Sequence, residues 1–206
     1  MPTVNGINCS GENCYNQVFL INGVARLIGL ILIVRMLWST SRQRIRNFTV
    51  EEYVLQVGAA RRFEQAKQYD AAIDELKKVL AAKPDIAEVH YELGIIYKQR
   101  AMDDEAIDSF RHVLRLNPRD GDVYADLGEA QYHAHYYDDA LGSFQRLIEI
   151  HPESPVSHYN LGMVYLMKDD YDPAIREFER ALELKNDFDD ARTALATAKK
   201  DKHQKS

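Results

Sequence analysis

The feature that most constrains the fold is a repeat with a period of 34 residues in the C-terminal two thirds of the chain. A proline, an alanine, a large apolar residue four positions after that alanine, and a Leu-Gly pair all recur at this spacing. These residues are Pro84, Pro118 and Pro152; Ala72, Ala106, Ala140 and Ala174; Leu76, Phe110, Phe144 and Phe178; and Gly94, Gly128 and Gly162. Four blocks follow one another without insertion, at 53–86, 87–120, 121–154 and 155–188. Such a period predicts a stack of similar units, because a unit of this length buries its apolar face only against its neighbours.

Each block is predicted to form two helices. In the second block, apolar residues recur at helical spacing at Leu93, Ile96 and Tyr97, and again at Ile107, Phe110 and Leu114. The small residues let the two helices approach closely, and the proline after the second helix ends it. One aspartate per block precedes the second helix, and we expect it to cap that helix: Asp70, Asp104, Asp138 and Asp172. Pro173 is expected at the first helical position.

The order of these residues resembles the tetratricopeptide repeat (TPR) family. The second block reads Leu93-Gly94, Tyr97, Ala106, Phe110 and Pro118. The fourth block keeps the pattern but has Asn186 in place of the proline, and the first has Ala59-Ala60 in place of Leu-Gly. The resemblance implies an all-α solenoid of four helix hairpins. Residues 189–206 are predicted to add a capping helix, with Ala191, Leu195 and Ala198 on one face, and a polar tail after Lys200.

The resemblance also implies a groove, lined by the first helix of each hairpin, that holds a peptide or helix of a partner protein. Ten residues fall in the groove-facing positions and are the predicted partner-binding residues: Arg61, Tyr91, Ile95, Lys98, Glu129, Tyr132, Tyr159, Met163, Leu166 and Met167. The last four form an apolar patch suited to an apolar partner segment. The alternative is that the capping helix or residues 39–52 cover this patch. Val57, Arg61 and Ile95 depart from the family subgroup that clamps a chaperone's C-terminal carboxylate, so that activity is not expected.

Charge divides the chain into three segments. Residues 1–50 hold five arginines and one acidic residue, and residues 51–198 hold 17 basic and 30 acidic residues. Residues 199–206 hold four lysines and one aspartate, which brings the net charge to -6. Much of the acidity belongs to the repeated turns. An acidic array argues against nucleic acid as a partner.

An apolar stretch at residues 18–38 precedes the repeats. Its 21 residues would reach about 31 Å as a helix, which is the thickness of a hydrocarbon core. Three arginines follow, at Arg42, Arg44 and Arg46, and none precedes it. By the positive-inside bias, we expect a transmembrane helix with a polar segment at 1–17 outside, a basic linker at 39–52, and the repeats in the cytoplasm. A cleaved signal peptide, an interfacial amphipathic helix and a soluble helix packed on the repeats are the alternatives.

An arginine near the middle of this stretch needs an explanation, since it costs about 2.5–3.5 kcal/mol on insertion scales. Asn22, Arg26 and Gly29 fall on one stripe of the helix, and Ala25 and Gly29 form a small-xxx-small pair. We expect this stripe to contact a partner helix in the membrane. The alternative is an arginine tolerated with local water.

Other clusters are weaker signals for chemistry. Cys9 and Cys14 are interpreted as incidental, with a disulfide loop or a redox or metal role as the alternatives. His90 and His158 occupy equivalent positions in the packing pattern, and His135 is expected in a turn. The acidic clusters lack the spacing of a calcium loop. We expect no enzyme activity, no metal and no cofactor.

The leading functional prediction is a non-enzymatic, membrane-tethered scaffold or assembly factor that captures a partner segment in its groove. It is placed in a bacterial inner membrane or an organelle membrane, beside subunits of a membrane complex. Membrane-anchored TPR proteins that assist the assembly of photosynthetic, respiratory or secretion complexes look similar in layout. The alternative is a structural subunit or a self-assembling coat of a membrane complex.

Overall fold

The computed structural model describes Thr3–Val4, Ile7–Asn8 and residues 49–205. The chain divides into two units, Met1–Val50 and Glu51–Ser206. In the first unit, β1 (Thr3–Val4) and β2 (Ile7–Asn8) pair antiparallel, with Thr3 opposite Asn8 and Val4 opposite Ile7. This short strand pair was not predicted by the helical periodicity. The predicted transmembrane segment at 18–38 lies outside the described residues.

Residues 49–205 form nine helices. They are α1 (Val50–Gln65), α2 (Tyr69–Ala82), α3 (Ala87–Gln99), α4 (Asp103–Leu116), α5 (Gly121–His133), α6 (Tyr137–Ile150), α7 (Pro155–Met167), α8 (Tyr171–Leu184) and α9 (Asp189–Lys205). From α2 onward each helix packs on the next, and α3 also contacts α5, α5 contacts α7, and α7 contacts α9. This is the all-helical solenoid that the period predicted. None of the helices in the described part is long and apolar enough to cross a bilayer.

The glycine of each Leu-Gly pair lies directly against an aromatic ring of the second helix. A Cβ atom at Gly94 would lie 2.5 Å from Phe110 Cε1, and one at Gly128 would lie 2.7 Å from Phe144 Cε1. A Cβ atom at Gly162 would likewise lie 2.7 Å from Phe178 Cε1. All three rings are buried, so any side chain at the glycine would displace them. The predicted close approach of the two helices therefore depends on a Gly-Phe pair in three hairpins.

The turn inside each hairpin places a non-glycine residue in the left-handed region, with φ between 54° and 63°. These residues are Lys67, Ala101, His135 and Asp169, again 34 positions apart. Each follows the first helix of its hairpin and lets the chain reverse into the second. His135 thus lies in a turn, as the sequence indicated.

The aspartates predicted to cap the second helices do not do so. Each is the second residue of its helix, and the capping positions belong to other residues such as Met102 and Tyr136, which make no side-chain cap. Instead, each aspartate accepts a hydrogen bond from a side chain about 30 residues later. The pairs are Asp70 with Arg100, Asp104 with Tyr136, Asp138 with Lys168, and Asp172 with Lys202. The acidic positions therefore join neighbouring hairpins, besides lying at the positive end of the helix dipole.

Side-chain caps occur on first helices instead. Asp120 accepts from the backbone N–H of Val123, and Ser154 accepts from that of Ser157, both at 3.3 Å. Pro173 is the third residue of α8 and not the first. At the start of the array, α1 begins at Val50, three residues before the predicted block boundary.

Helix α9 closes the C-terminal end of the array. Ala191 and Ala198 are fully buried, and Ala194 is nearly so. The helix extends to Lys205 and not only to Lys200, where a polar tail was expected. Lys202 pairs with Asp172, and Lys205 Nζ lies 2.7 Å from Asp169 Oδ1. These contacts to α8 and its preceding turn help to order the last turn of α9.

Candidate partner-binding groove

The ten predicted partner-binding residues lie on four first helices. Arg61 is on α1; Tyr91, Ile95 and Lys98 are on α3; Glu129 and Tyr132 are on α5; Tyr159, Met163, Leu166 and Met167 are on α7. Contacts join α3 to α5 and α5 to α7, so these side chains meet at successive helix interfaces. The interfaces differ in chemistry.

Between α1 and α3 the contact is ionic. The Arg61 guanidinium donates to Glu88 Oε1 and to Glu92 Oε1, each at 2.8 Å. The Tyr53 hydroxyl donates to Glu88 at 3.0 Å. Burial raises the pKa of Glu92, and the Arg61 guanidinium opposes that rise. Arg61 is therefore already engaged with two carboxylates of its own chain.

Between α3 and α5 the contact is also ionic, and we call this the ionic interface. Lys98 Nζ donates to Asp126 Oδ1 and to Glu129 Oε2, both at 2.6 Å. The Tyr91 hydroxyl donates to the other Asp126 oxygen at 2.8 Å. Burial and the Asp126 carboxylate raise the pKa of Tyr91 to about 12. Burial alone would lower the pKa of Lys98, but the two carboxylates raise it overall. A cavity of about 280 Å³ also lies at this interface, beside Tyr91 and Asp122.

The contact between α5 and α7 is not ionic, and we call this the open interface. Thirty-four residues after Lys98, Asp126 and Glu129 stand Tyr132, Asn160 and Met163. These three cannot form an ion-pair network, and no side-chain ion pair joins α5 to α7 in the described part of the chain. A cavity of about 310 Å³ lies here, lined by Glu129, Tyr132, His133, Phe144, Tyr159, Asn160 and Met163.

The lining of this cavity is aromatic with a charged edge. Phe144 is buried, while Tyr132 and Tyr159 are half-buried. Burial raises the pKa of both tyrosines, so both are neutral at physiological pH. Glu129 and His133 are exposed, one turn apart on α5, with His133 Nε2 3.9 Å from Glu129 Oε1. The arrangement can accept an apolar or aromatic side chain with a donor or cation near it.

The apolar patch on α7 is partly covered by the capping helix. Tyr159, Met163 and Leu166 pack on a cluster that includes Ala194 and Ala198 of α9. The Tyr159 ring also lies 5.1 Å from the ring of Phe188. Met167 stays 47% exposed. The alternative given for this patch therefore holds in part: Tyr159 and Met163 border the cavity, whereas Met167, the most exposed member of the patch, does not.

Four predicted residues, Glu129, Tyr132, Tyr159 and Met163, line the same cavity. Phe144 and Asn160 were not predicted to line the groove; His133 falls at a groove-facing position, equivalent to Met167, but was not among the ten predicted partner-binding residues. The change from Asp126 to Asn160 was readable in the repeat, because it removes a charge at an equivalent position. The predicted membrane-helix residues Asn22, Arg26 and Gly29, and the cysteines Cys9 and Cys14, lie outside the described residues. Within residues 49–205 no group of three or more metal-ligating side chains is present.

Four family models match the chain. A TPR repeat model matches residues 61–100, and tetratricopeptide repeat models match 87–120, 104–155 and 155–192. Together the matches extend from 61 to 192. No curated protein sequence matches the chain significantly.

Several solved structures share the fold. The crystal structure of MamA protein is 26% identical, with a TM-score of 0.72, and covers 75% of this chain and 85% of its own. A tetratricopeptide repeat protein from Parabacteroides merdae is 19% identical, with a TM-score of 0.70, over 75% of this chain and 61% of its own. YrrB, described as a TPR protein with an unusual peptide-binding site, is 20% identical with a TM-score of 0.65, over 82% of this chain and 87% of its own. The last two likenesses are of fold alone.

Proposed function

We propose, since residues 61–192 are tetratricopeptide repeats, that this chain captures a segment of a partner protein at the open interface between α5 and α7. The repeat is generally a non-catalytic scaffold for protein–protein interactions. In this proposal the partner inserts an apolar or aromatic side chain into the cavity and places a basic or donor group beside Glu129.

The observation that carries the proposal is the missing ion-pair network at the open interface. Arg61 and Lys98 each bind two carboxylates of the chain itself, so a partner would have to break these contacts to bind there. At the open interface a partner displaces only solvent from an aromatic surface, which is the favourable case for binding. YrrB has a peptide-binding site by its description, and a site for a partner segment in this chain is our proposal.

Site-specific photo-crosslinking tests this directly. A photo-reactive residue at Asn160 is expected to crosslink a partner in cells that contain the chain's natural partners. The matched control is the same photo-reactive residue at Asp126, the equivalent position at the ionic interface. Equal crosslinking at the two positions, or none at Asn160, would contradict capture at the open interface.

We further propose that residues 18–38 span a membrane and hold the repeats on its cytoplasmic side, in a bacterial inner or an organelle membrane. The length of the apolar stretch and the three arginines after it support this. The stripe of Asn22, Arg26 and Gly29 would contact a helix of a membrane complex. Tethering raises the effective concentration of the captured partner near that complex.

Alkaline carbonate extraction of membranes tests the tether. The full chain is expected to stay in the membrane pellet, and a truncated chain lacking residues 1–46 is expected in the supernatant. Release of both chains would exclude a spanning helix. If Arg26→Leu keeps every membrane partner of the full chain, the contact through that stripe is excluded.

A structural subunit or a self-assembling coat is the second candidate. Val54 and Leu55 favour it, because these apolar side chains of α1 are 62% and 65% exposed. Native mass measurement of the full chain separates the two candidates. A discrete or growing homo-oligomer supports the coat, whereas a monomer supports the scaffold.

A further inference from the structure

A second cavity, of about 480 Å³, lies between α2, α3 and α4 and is independent of the groove. Its lining includes three lysine or arginine side chains. The charged and titratable residues that line it are Lys77, His90, Asp108, Arg111, His112 and Arg115. Three permanent cations therefore face one carboxylate across the same space.

Two of these cations have no carboxylate partner. Arg111 Nη2 lies 2.8 Å from Asp139, but neither Lys77 nor Arg115 forms an ion pair with any residue in the range 49–205. Lys77 Nζ lies over the Tyr97 ring, 5.9 Å from its centre. Arg115 donates to His112 Nδ1 at 2.5 Å. Unpaired cations that line a cavity make its potential positive.

The rings of His90 and His112, which line this cavity, stack on each other. Their ring centres are 3.7 Å apart with an angle of 15° between the planes. His112 Nδ1 accepts from Arg115, and its Nε2 lies 3.4 Å from Asp85 Oδ1. Burial lowers the pKa of His90, and His112 and Arg115 lower it further, against the Pro84 carbonyl and Asp85. The cavity thus holds surplus positive charge from its lysine and arginine side chains alone.

The fourth hairpin places a carboxylate beside its equivalent histidine. His158 is equivalent to His90, and both lie within hydrogen-bond distance of a proline carbonyl six residues earlier. In the fourth hairpin, Glu177 Oε2 lies 2.7 Å from His158 Nδ1. The residue equivalent to Glu177 in the second hairpin is Ser109, whose hydroxyl donates to the Glu105 carbonyl.

Two neighbouring cationic positions of the cavity are acidic in the fourth hairpin. Arg111 and Arg115 of the second hairpin correspond to Glu179 and Glu183 of the fourth. At these positions the second hairpin lacks three carboxylates that the fourth has, whereas the fourth has Arg176 where the second has Asp108. Lys77, Arg111 and Arg115 are solvent-exposed, so the cavity presents a surplus of positive charge to an anion from solution.

We propose that the cavity between α2, α3 and α4 binds a phosphate monoester through Lys77 and Arg115. A phosphate monoester carries about two negative charges at neutral pH, which matches the two unpaired cations, whereas a carboxylate carries one. The guanidinium of Arg115 can donate two parallel hydrogen bonds to phosphate oxygens, and Lys77 adds a point charge. His112 Nε2, in a weak contact with the exposed Asp85, can donate a further hydrogen bond.

A titration of the purified full chain tests the proposal, with the histidine ring signals followed by NMR at constant ionic strength. The probes are inorganic phosphate, a phosphoserine peptide, and the same peptide with glutamate in place of phosphoserine. The ring signals of His90 and His112 are expected to shift to saturation, while those of His158 stay in place. Tighter binding of the phosphopeptide than of inorganic phosphate indicates a phosphorylated protein as the source, and equal binding indicates free phosphate.

Variants distinguish binding in this cavity from nonspecific attraction of an anion by the net charge of the protein. Lys77→Gln with Arg115→Gln is expected to weaken binding at least about tenfold, which is about 1.4 kcal/mol. Arg176→Gln with Lys200→Gln removes the same charge from exposed positions of α8 and α9 and is the matched control. Ser109→Glu supplies the carboxylate of the fourth hairpin and is expected to abolish binding without removing a cation.

Three results would overturn the proposal. The first is a titration without saturable shifts at His90 and His112. The second is equal weakening by the two double variants, which would reduce the effect to net charge. The third is a glutamate peptide that binds as tightly as the phosphopeptide, which would exclude selectivity for phosphate. A thermal melt of each variant, followed by circular dichroism, identifies any loss of folding, and Ser109→Glu then provides the deciding measurement.

Discussion

The ionic interface and the open interface are made by the same kind of helix pair, yet in the described part of the chain an ion-pair network joins only one of them. Lys98, Asp126 and Glu129 join α3 to α5, whereas the equivalent residues Tyr132, Asn160 and Met163 line an aromatic cavity between α5 and α7. The smaller cavity at the ionic interface has three acidic side chains in its lining instead. The hairpins themselves are alike, since Gly94 and Gly128 contact Phe110 and Phe144 in the same way. The two interfaces therefore differ through three side chains, in hairpins that pack alike.

The largest expected effect comes from the buried phenylalanine rings that both interfaces have in their hairpins. Phe110→Ala and Phe144→Ala each remove a buried ring, and each is expected to lower the free energy of unfolding by about 3–5 kcal/mol. Chemical denaturation of the full chain measures both. The two losses are expected to be similar, because each ring fills the space beside a glycine. A much smaller loss at Phe144 would mean that the cavity weakens the packing beneath it.

Lys98→Met is expected to have the next largest effect, and only at the ionic interface. It leaves the partly buried Asp126 with the Tyr91 hydroxyl as its remaining partner, which costs about 1–2 kcal/mol. The control is Tyr132→Phe at the equivalent position, where no side-chain hydrogen bond is lost in the described structure. Thermal denaturation distinguishes them, and an equal loss for both variants would contradict the difference between the interfaces.

The Tyr91 hydroxyl provides a pH test of the ionic interface. The folded state favours the neutral phenol, since its pKa is raised from 10.0 to about 12. The stabilisation is complete below pH 10 and is lost as the pH rises toward 12. Ultraviolet titration should show a tyrosine that ionises last, and Tyr91→Phe should remove it. If Tyr91→Phe leaves the most alkaline part of the titration unchanged, the contact with Asp126 is not formed.

A small gain is expected from Ala101→Gly in the turn between α3 and α4. Ala101 has a φ of 54°, which glycine adopts without steric cost. The free energy of unfolding of the variant should therefore rise by about 0.5–1 kcal/mol. His135→Gly at the equivalent turn after α5 should gain less, because His135 Nδ1 is hydrogen-bonded to the Tyr137 hydroxyl at 2.8 Å. A loss of stability in Ala101→Gly, measured by denaturation, would contradict the strained turn.

Much of the fold was predictable because aligning the four blocks places equivalent residues in one column. The columns of Gly94 and Phe110 indicated two closely packed helices per block, and the structure has them in contact. The role of the aspartate column was not predictable in the same way. Capping depends on the backbone angles of residues such as Met102, and the partner of Asp70 lies 30 residues away at Arg100.

The candidate site was predictable to the level of the helix but not of the interface. Single columns indicated Tyr132 and Met163, but not that Lys98 is held by two carboxylates. That contact joins residues 28 and 31 positions apart, so it becomes visible only when neighbouring repeats are compared across their interface. Reading one repeat position alone does not show where such a pair is lost.

The most direct test of the central claim is to give the open interface the ion-pair network that the chain has at the ionic interface. The triple variant Tyr132→Lys, Asn160→Asp and Met163→Glu reproduces the Lys98, Asp126 and Glu129 network between α5 and α7. Stability is expected to change by no more than about 1 kcal/mol, because ion pairs near the surface contribute little. Recovery of the partner that crosslinks at Asn160 is expected to fall at least about tenfold. A folded triple variant that recovers this partner as well as the unmodified chain does would contradict the claim that the open interface is the binding site.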